Sequence, residues 1–129
     1  ERIREKEFGI LDMYTKAGIK YNLPEEHERK QREGKYYYRP PGGESYPDVG
    51  LRLYSFLDSM MRSGGNKNNL IVTHSVVVKM FRKCFEKLEE AGVLEIDSDN
   101  EVKNCGVTYY EINPQANKLK LKYFNKVFY

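Results

Sequence analysis

Residues 38–45, Tyr-Arg-Pro-Pro-Gly-Gly-Glu-Ser, and residues 70–75, Leu-Ile-Val-Thr-His-Ser, combine side-chain types suited to phosphate chemistry. Gly42 and Gly43 permit close backbone approach to an anion, and Arg39 just before them offers a planar fork that matches phosphate oxygens. Each signal is weak alone, because loops before helices are often glycine-rich for turn geometry and an arginine beside tyrosines often snorkels along the surface. His74 ends an apolar run and directly precedes a helix start, the place where open α/β sheets hold ligands. Helix N–H groups favour phosphate there, and an imidazole can donate a hydrogen bond to a phosphoryl oxygen or relay a proton near neutral pH. The same position suits a core histidine bonded to a carbonyl, and the local sequence weighs equally for both.

The elements that must position these residues follow from capping and periodicity. Ser45-Tyr46-Pro47-Asp48 reads as a helix start, with Ser45 as cap, Pro47 in the first turn and Asp48 where a capping box places an acid. Val49, Leu53, Phe56, Leu57, Met60 and Met61 share a face as far as Arg62, and Ser63-Gly64-Gly65-Asn66 ends the helix. Asn69–Thr73 has the pattern of a buried parallel strand. Val76, Val77, Met80, Phe81, Cys84, Phe85 and Leu88 then predict a helix that closes at Ala91-Gly92. Gly106–Ile112 and Lys118–Phe124 alternate as strands around residues 113–117, predicting an antiparallel hairpin. Upstream, Pro24–Arg32 reads as a polar helix opened by its proline, residues 3–13 as a strand-loop passage, and Lys35–Tyr38 as aromatic packing beneath the glycine loop.

With 129 residues the chain fits one domain. A net charge of +3, with acidic and basic residues interleaved over Glu25–Glu33, gives no one-sign stripe for nucleic acid. Cys84 and Cys105 have neither C-x-x-C spacing nor a histidine partner, so no metal is predicted and both read as buried reduced thiols. No apolar run has membrane-span length and no signal-peptide core precedes the motifs, which makes the cytoplasm the default compartment. The chain opens on Glu1 rather than methionine, and its native N-terminus is expected upstream.

Taken together the motifs resemble the histidine phosphatase superfamily, the phosphoglycerate-mutase-like proteins, over nearly the whole chain. Residues 2–9, Arg-Ile-Arg-Glu-Lys-Glu-Phe-Gly, look like the family's Leu-Arg-Glu-x-x-x-Gly segment. Residues 41–45 look like its Gly-Glu-Ser loop, Val72-Thr73-His74 like its second-histidine strand, and residues 104–107 like its late strand. The resemblance implies a partial three-layer α/β sandwich: a mostly parallel sheet with helices on both faces, an antiparallel C-terminal hairpin, and a single domain over 1–129 that is incomplete at its N-terminus.

The resemblance also implies a phosphomonoesterase working through a phosphohistidine, on a phosphorylated small molecule such as a sugar phosphate, without metal or organic cofactor. His74 and Glu5 would be catalytic, His74 holding the phosphoryl group and Glu5 acting as general acid and then base. Arg39, Glu44 and Lys79 match positions that hold substrate, and Gly43 of the loop and Ser75 after the histidine are expected to bind it beside them. From its surroundings alone, among Arg2, Arg4 and Lys6, Glu5 reads as a surface charge.

Departures matter as much. Ser75 stands where many members have glycine, and Gly42 where the fructose-bisphosphatase branch has a phosphate-binding lysine. No Arg-His-Gly, the motif of the family's nucleophile, occurs in the sequence, and His27 lies in a charged helix. These 129 residues alone are therefore predicted to be inactive. One alternative is a pseudophosphatase that binds phosphorylated ligands or a protein. Another is an interaction domain using the tyrosine-rich stretch 35–38 and the C-terminal residues 126–129.

Overall fold

A computed structural model describes residues 1–63, 68–99, 102–113, 115 and 118–128. Their contacts divide the chain into two compact units, Glu1–Val77 and Val78–Tyr129.

In the first unit, residues 1–8 carry no helix or strand and lead into a short 3-10 turn at Gly9–Leu11. Helix α1, Lys16–Asn22, escaped the sequence reading although it has a sequence signal: Thr15 caps it, its Oγ1 accepting from the Gly18 amide at 3.0 Å. Helix α2, Pro24–Glu33, starts on its proline with Glu25 and Glu26 in the first turn and Lys30 and Arg32 in the last. That charge order complements the helix dipole. Gly34 ends the helix at φ 80°, a left-handed conformation that costs glycine little.

Helix α3, Tyr46–Arg62, forms as its capping residues predict. The Ser45 amide donates to Asp48 Oδ2 at 2.7 Å, and Ser45 Oγ accepts from the Asp48 amide at 3.3 Å, completing a capping box. Val49 and Leu53 are fully buried, which contributes about 1.5–3 kcal/mol each. Phe56, Leu57 and Met60 are half-buried, but Met61, predicted on the same face, is 67% exposed. Of the predicted stop, Ser63 is the C-cap and residues 64–66 lie outside the described residues. The aromatic stretch does pack: Tyr36 stacks on Tyr46 at 5.7 Å, and buried Tyr38 donates from its hydroxyl to Glu26 at 2.6 Å. Tyr37 is exposed.

Residues 68–74 depart from the predicted buried strand. They join no ladder; Leu70 is 91% and Val72 81% exposed, while Ile71 and Thr73 are half-buried. The period-two alternation is that of an extended chain covered on one side. A parallel strand exists only beside a neighbour, and the described residues supply none: their only sheet is the antiparallel pair β1–β2. The predicted mostly parallel sheet is thus not formed among the described residues.

Helix α4, Ser75–Glu86, carries the chain from the first unit into the second. It buries Val76, Val77, Met80 and Phe81 as the spacing predicts. It stops at Lys87, which takes φ 56°, and a new helix, α5, runs Glu90–Asp99. The predicted stop at Ala91-Gly92 is therefore wrong: Gly92 lies inside α5, where a Cβ would meet only the Leu88 side chain at ordinary contact distance.

Strands β1, Val107–Asn113, and β2, Lys118–Lys126, form the predicted hairpin, pairing Tyr110 with Leu121 and Ile112 with Leu119. Phe85 of α4 meets Tyr110 edge-on at 5.0 Å, and Arg82 lies 4.5 Å from the centroid of the Phe124 ring. The Tyr110 hydroxyl donates to Glu86, which also receives Arg82. Neither cysteine is buried as predicted: Cys84 is intermediate, and Cys105 is exposed in the turn before β1 at φ 58°.

Candidate functional site

The sequence motifs of the first unit converge on its irregular segments. Residues 7–10 run against residues 41–44, with the Glu44 amide donating to Glu7 O at 2.9 Å and the Ile10 amide to Pro41 O at 3.0 Å. Two glycines make this approach possible. A Cβ on Gly9 would stand 2.1 Å from Pro41 O, and one on Gly43 would stand 2.6 Å from Pro40 Cγ and 2.8 Å from Glu7 O. Gly42 turns the loop at φ 68°. The glycines thus fit one motif segment onto another. The Gly43 amide, expected to face an anion, donates to Pro40 O at 2.9 Å.

Glu5 is half-buried, and its carboxylate accepts from the Lys6 amide at 2.8 Å and, with the other oxygen, from the Val76 amide at 3.4 Å. The second bond places the carboxylate at the N-terminal turn of α4, beside Ser75 and close in sequence to His74. Thr73 Oγ1 donates to Ile3 O at 2.6 Å and ties the two segments together. His74 is exposed at the end of its extended segment, so the core-histidine reading does not hold; Ser75, half-buried, opens α4. Glu5 also leaves an electrostatic trace on buried Tyr46, whose phenol is pushed up to about 12 by burial and then by the Glu5 charge.

Arg39 is exposed. Its Nε donates to Gly43 O at 3.2 Å and lies 3.1 Å from Asp48 Oδ2, so the capping acid also steadies the loop arginine. Glu44, expected to bind substrate, is turned inward instead. Its carboxylate accepts from Arg52 Nε at 2.9 Å, Arg52 Nη2 at 3.0 Å, the Glu7 amide at 3.0 Å and Arg4 Nη2 at 3.5 Å. Burial alone would raise its pKa, and the Arg52 and Glu7 hydrogen bonds outweigh that and hold it below the ordinary carboxylate value. Lys79 is buried on α4 in the second unit. His27 lies on α2.

Two residues of this region escaped the sequence reading. Arg52 is a cation in the buried stripe of α3, between Val49 and Leu53, and that misplaced charge is the signal that marks it. Lys6 is buried, with its amine 5.0 Å from the centroid of the Phe8 ring. Burial, then the nearby Lys30 charge, push that amine down to about 8. Among the described residues no group of three or more His, Cys, Asp or Glu side chains is placed to hold a metal ion.

A carboxylate and an exposed imidazole at one helix N-terminus can bind a phosphoryl group and exchange a proton with its ester oxygen. The family model described as histidine phosphatase superfamily (branch 1) matches residues 1–125. A phosphoglycerate mutase-like protein of Arabidopsis thaliana is 30% identical over 121 residues, covering 86% of this chain and 40% of its own length. A fructose-2,6-bisphosphatase of Saccharomyces cerevisiae is 36% identical over 81 residues, covering 63% of this chain and 17% of its own. Among solved structures, YhfR of Bacillus stearothermophilus superposes with a TM-score of 0.77 at 23% identity, covering 99% of this chain and 60% of that one. The chain therefore spans less than half of either curated relative.

Proposed function

The chain belongs to the histidine phosphatase superfamily, branch 1, and we propose that the complete protein is a phosphomonoesterase that releases phosphate from a phosphorylated small molecule, of sugar-phosphate type, through a phosphohistidine. The observation that carries this reading is the meeting of Glu5 with the first turn of α4, next to exposed His74. In the proposed cycle a histidine supplied from upstream attacks phosphorus as the ester P–O bond breaks. The leaving alkoxide takes its proton from Glu5. Water then attacks the phosphohistidine with Glu5 as base, yielding inorganic phosphate and restoring both groups. His74 and Ser75, at the N-terminal end of α4 whose dipole favours an anion, hold the phosphoryl oxygens, and Arg39 meets the rest of the substrate.

In the same reading residues 1–129 are part of one catalytic domain, and an upstream strand completes a mostly parallel sheet beside residues 68–74. The exposed Leu70 and Val72 side chains support this, since that face needs cover. No membrane-spanning helix occurs among the described residues, and a cytoplasmic setting is part of the proposal. Glu44 is reassigned from substrate to scaffold, and buried Lys79 lends the substrate site no support.

The test is phosphate release by the full-length protein from p-nitrophenyl phosphate and from fructose 2,6-bisphosphate, with the acid-labile phosphohistidine trapped by rapid alkaline quench. Loss of activity on both substrates in His74→Ala, and on fructose 2,6-bisphosphate in Glu5→Gln, supports the reading. An inactive wild-type protein, or activity indifferent to both changes, overturns it. A second reading is binding of phospho-ligands without turnover, and the upstream coding sequence separates the two: an Arg-His-Gly there favours the enzyme, its absence the binding module. A full-length protein that binds phosphate yet forms no phosphohistidine would establish that alternative.

A further inference from the structure

We propose that Arg52 is the positioning residue for Glu5, fixing the backbone on both sides of that carboxylate so that it can serve as proton donor; the inference rests on the acid role given to Glu5 above. Residues 1–8 have no helix or ladder of their own, so their course depends on bonds from elsewhere. One guanidinium supplies several of them. Arg52 Nη1 donates to Arg2 O at 2.9 Å, and Nη2 donates to Glu5 O at 3.2 Å. The same fork grips both oxygens of Glu44, at 2.9 and 3.0 Å, and Glu44 in turn accepts from the Glu7 amide at 3.0 Å. Backbone groups at residues 2, 5 and 7 are thereby referred to a single cation on α3.

That cation is itself well held. It sits within two turns of the Ser45–Asp48 capping box, one residue before fully buried Leu53, and its side chain is 14% exposed against 13% for Glu44. Charge-assisted, bidentate bonds of this kind combine strength with direction. Lysine cannot replace them, since one ammonium cannot hold two carboxylate oxygens and two divergent carbonyls in a plane. The Glu5 carboxylate takes no part in this clamp and is left to the Lys6 and Val76 amides. Arg52 thus acts through the placement of Glu5 and has no assigned contact with substrate.

The experiment separates placement of the acid from general loss of structure by using the leaving group. The full-length protein and its Arg52→Lys variant are assayed on p-nitrophenyl phosphate, whose phenolate departs without much help, and on glycerol 2-phosphate, whose alkoxide needs a proton. The expected result is a fall in kcat/KM on glycerol 2-phosphate of about 10- to 100-fold against a change below roughly 3-fold on p-nitrophenyl phosphate; kcat/KM reports transfer to the histidine alone, whereas the Glu5-assisted hydrolysis of the phosphohistidine is common to both substrates and enters kcat. Faster amide exchange at residues 2–8, with the α3 amides unchanged, accompanies it. Equal losses of kcat/KM on both substrates, or no loss on either, overturn the inference while leaving the phosphatase reading intact. A wild-type protein inactive on both substrates overturns the reading and this inference together. Should Arg52→Lys fail to fold, Glu44→Gln, which weakens the other half of the clamp, is held to the same leaving-group criterion.

Discussion

Residues 1–77 are held by side chains that bond backbone groups far away in sequence: Arg52 to Arg2 and Glu5, Thr73 to Ile3, Arg2 to Ser55 at 2.8 Å. Residues 78–129 are held by pattern, with the hairpin ladder and an α4 whose Phe85, Arg82 and Glu86 meet β1 and β2 through rings and one short polar chain. The difference teaches where chemistry can be placed. A regular element fixes side chains at its own spacing, whereas an irregular segment can bring a carboxylate to a chosen helix terminus, and then needs buried charge to hold it there. Changes in the first region should therefore register in activity, and changes in the second mainly in stability.

The largest expected effects test that division at the proposed site. In the full-length protein Glu5→Gln lowers kcat/KM on an alkyl phosphate about 10²- to 10⁴-fold and lowers that on p-nitrophenyl phosphate much less, read by steady-state kinetics. A comparable loss from Tyr110→Phe, in the other region, would erase the contrast. Next in size is Gly9→Ala. Its new methyl would overlap Pro41 O at a left-handed backbone, and destabilisation of at least about 2 kcal/mol is expected in urea unfolding.

The pH dependence of Lys6 gives a smaller effect with a definite sign. Its folded amine titrates near 8 against an ordinary 10.5. Below pH 8 both folded and unfolded chains carry the proton, and the folded state bears the cost of the buried charge. Between about pH 8 and 10.5 the unfolded chain binds more protons, so the Lys6 contribution to stability rises with pH across that window. Lys6→Met relieves the cost at neutral pH, by on the order of 1–2 kcal/mol once solvent screening is allowed for, and flattens the rise. In the second region Tyr110→Phe removes the hydroxyl bonded to Glu86 and costs about 1 kcal/mol in thermal unfolding, with kcat unchanged. Least of all, Lys122→Gln at the exposed pair with Glu111 should leave the melting temperature where it is.

What the sequence made legible follows the same line. Helix α3 could be read from Ser45, Pro47 and Asp48 because a capping box is local chemistry, and the hairpin from strand alternation because register is local too. The arrest of α4 at Lys87 was not legible, since a lysine at φ 56° carries no glycine or proline to announce it. The strand pattern at 69–73 is present in the residues, but a strand is a relation between two segments and the described residues hold only one of them. Glu44 and Arg52 show the limit most directly. Motif resemblance located the glutamate, yet whether it faces a ligand or the interior is decided by an arginine two helical turns on and by the backbone of a segment some forty residues back. Family likeness supplied the identity of Glu5 and His74 as a pair, and geometry brought Glu5 to the helix that His74 precedes.

The close fit of Gly9 against residues 41–43 sets how this chain can vary in length. Neither of the two apposed segments can take an inserted residue or a side chain at the contact without parting from the other. Helices α1 and α2 lie between these pinned points, on an excursion whose ends are already joined, and doubling such a loop costs only about 0.6 kcal/mol in closure entropy. Insertions, deletions and new surface features should collect there in relatives, so that the number of residues between Glu5 and the glycine loop can vary while the two segments stay pressed together in space.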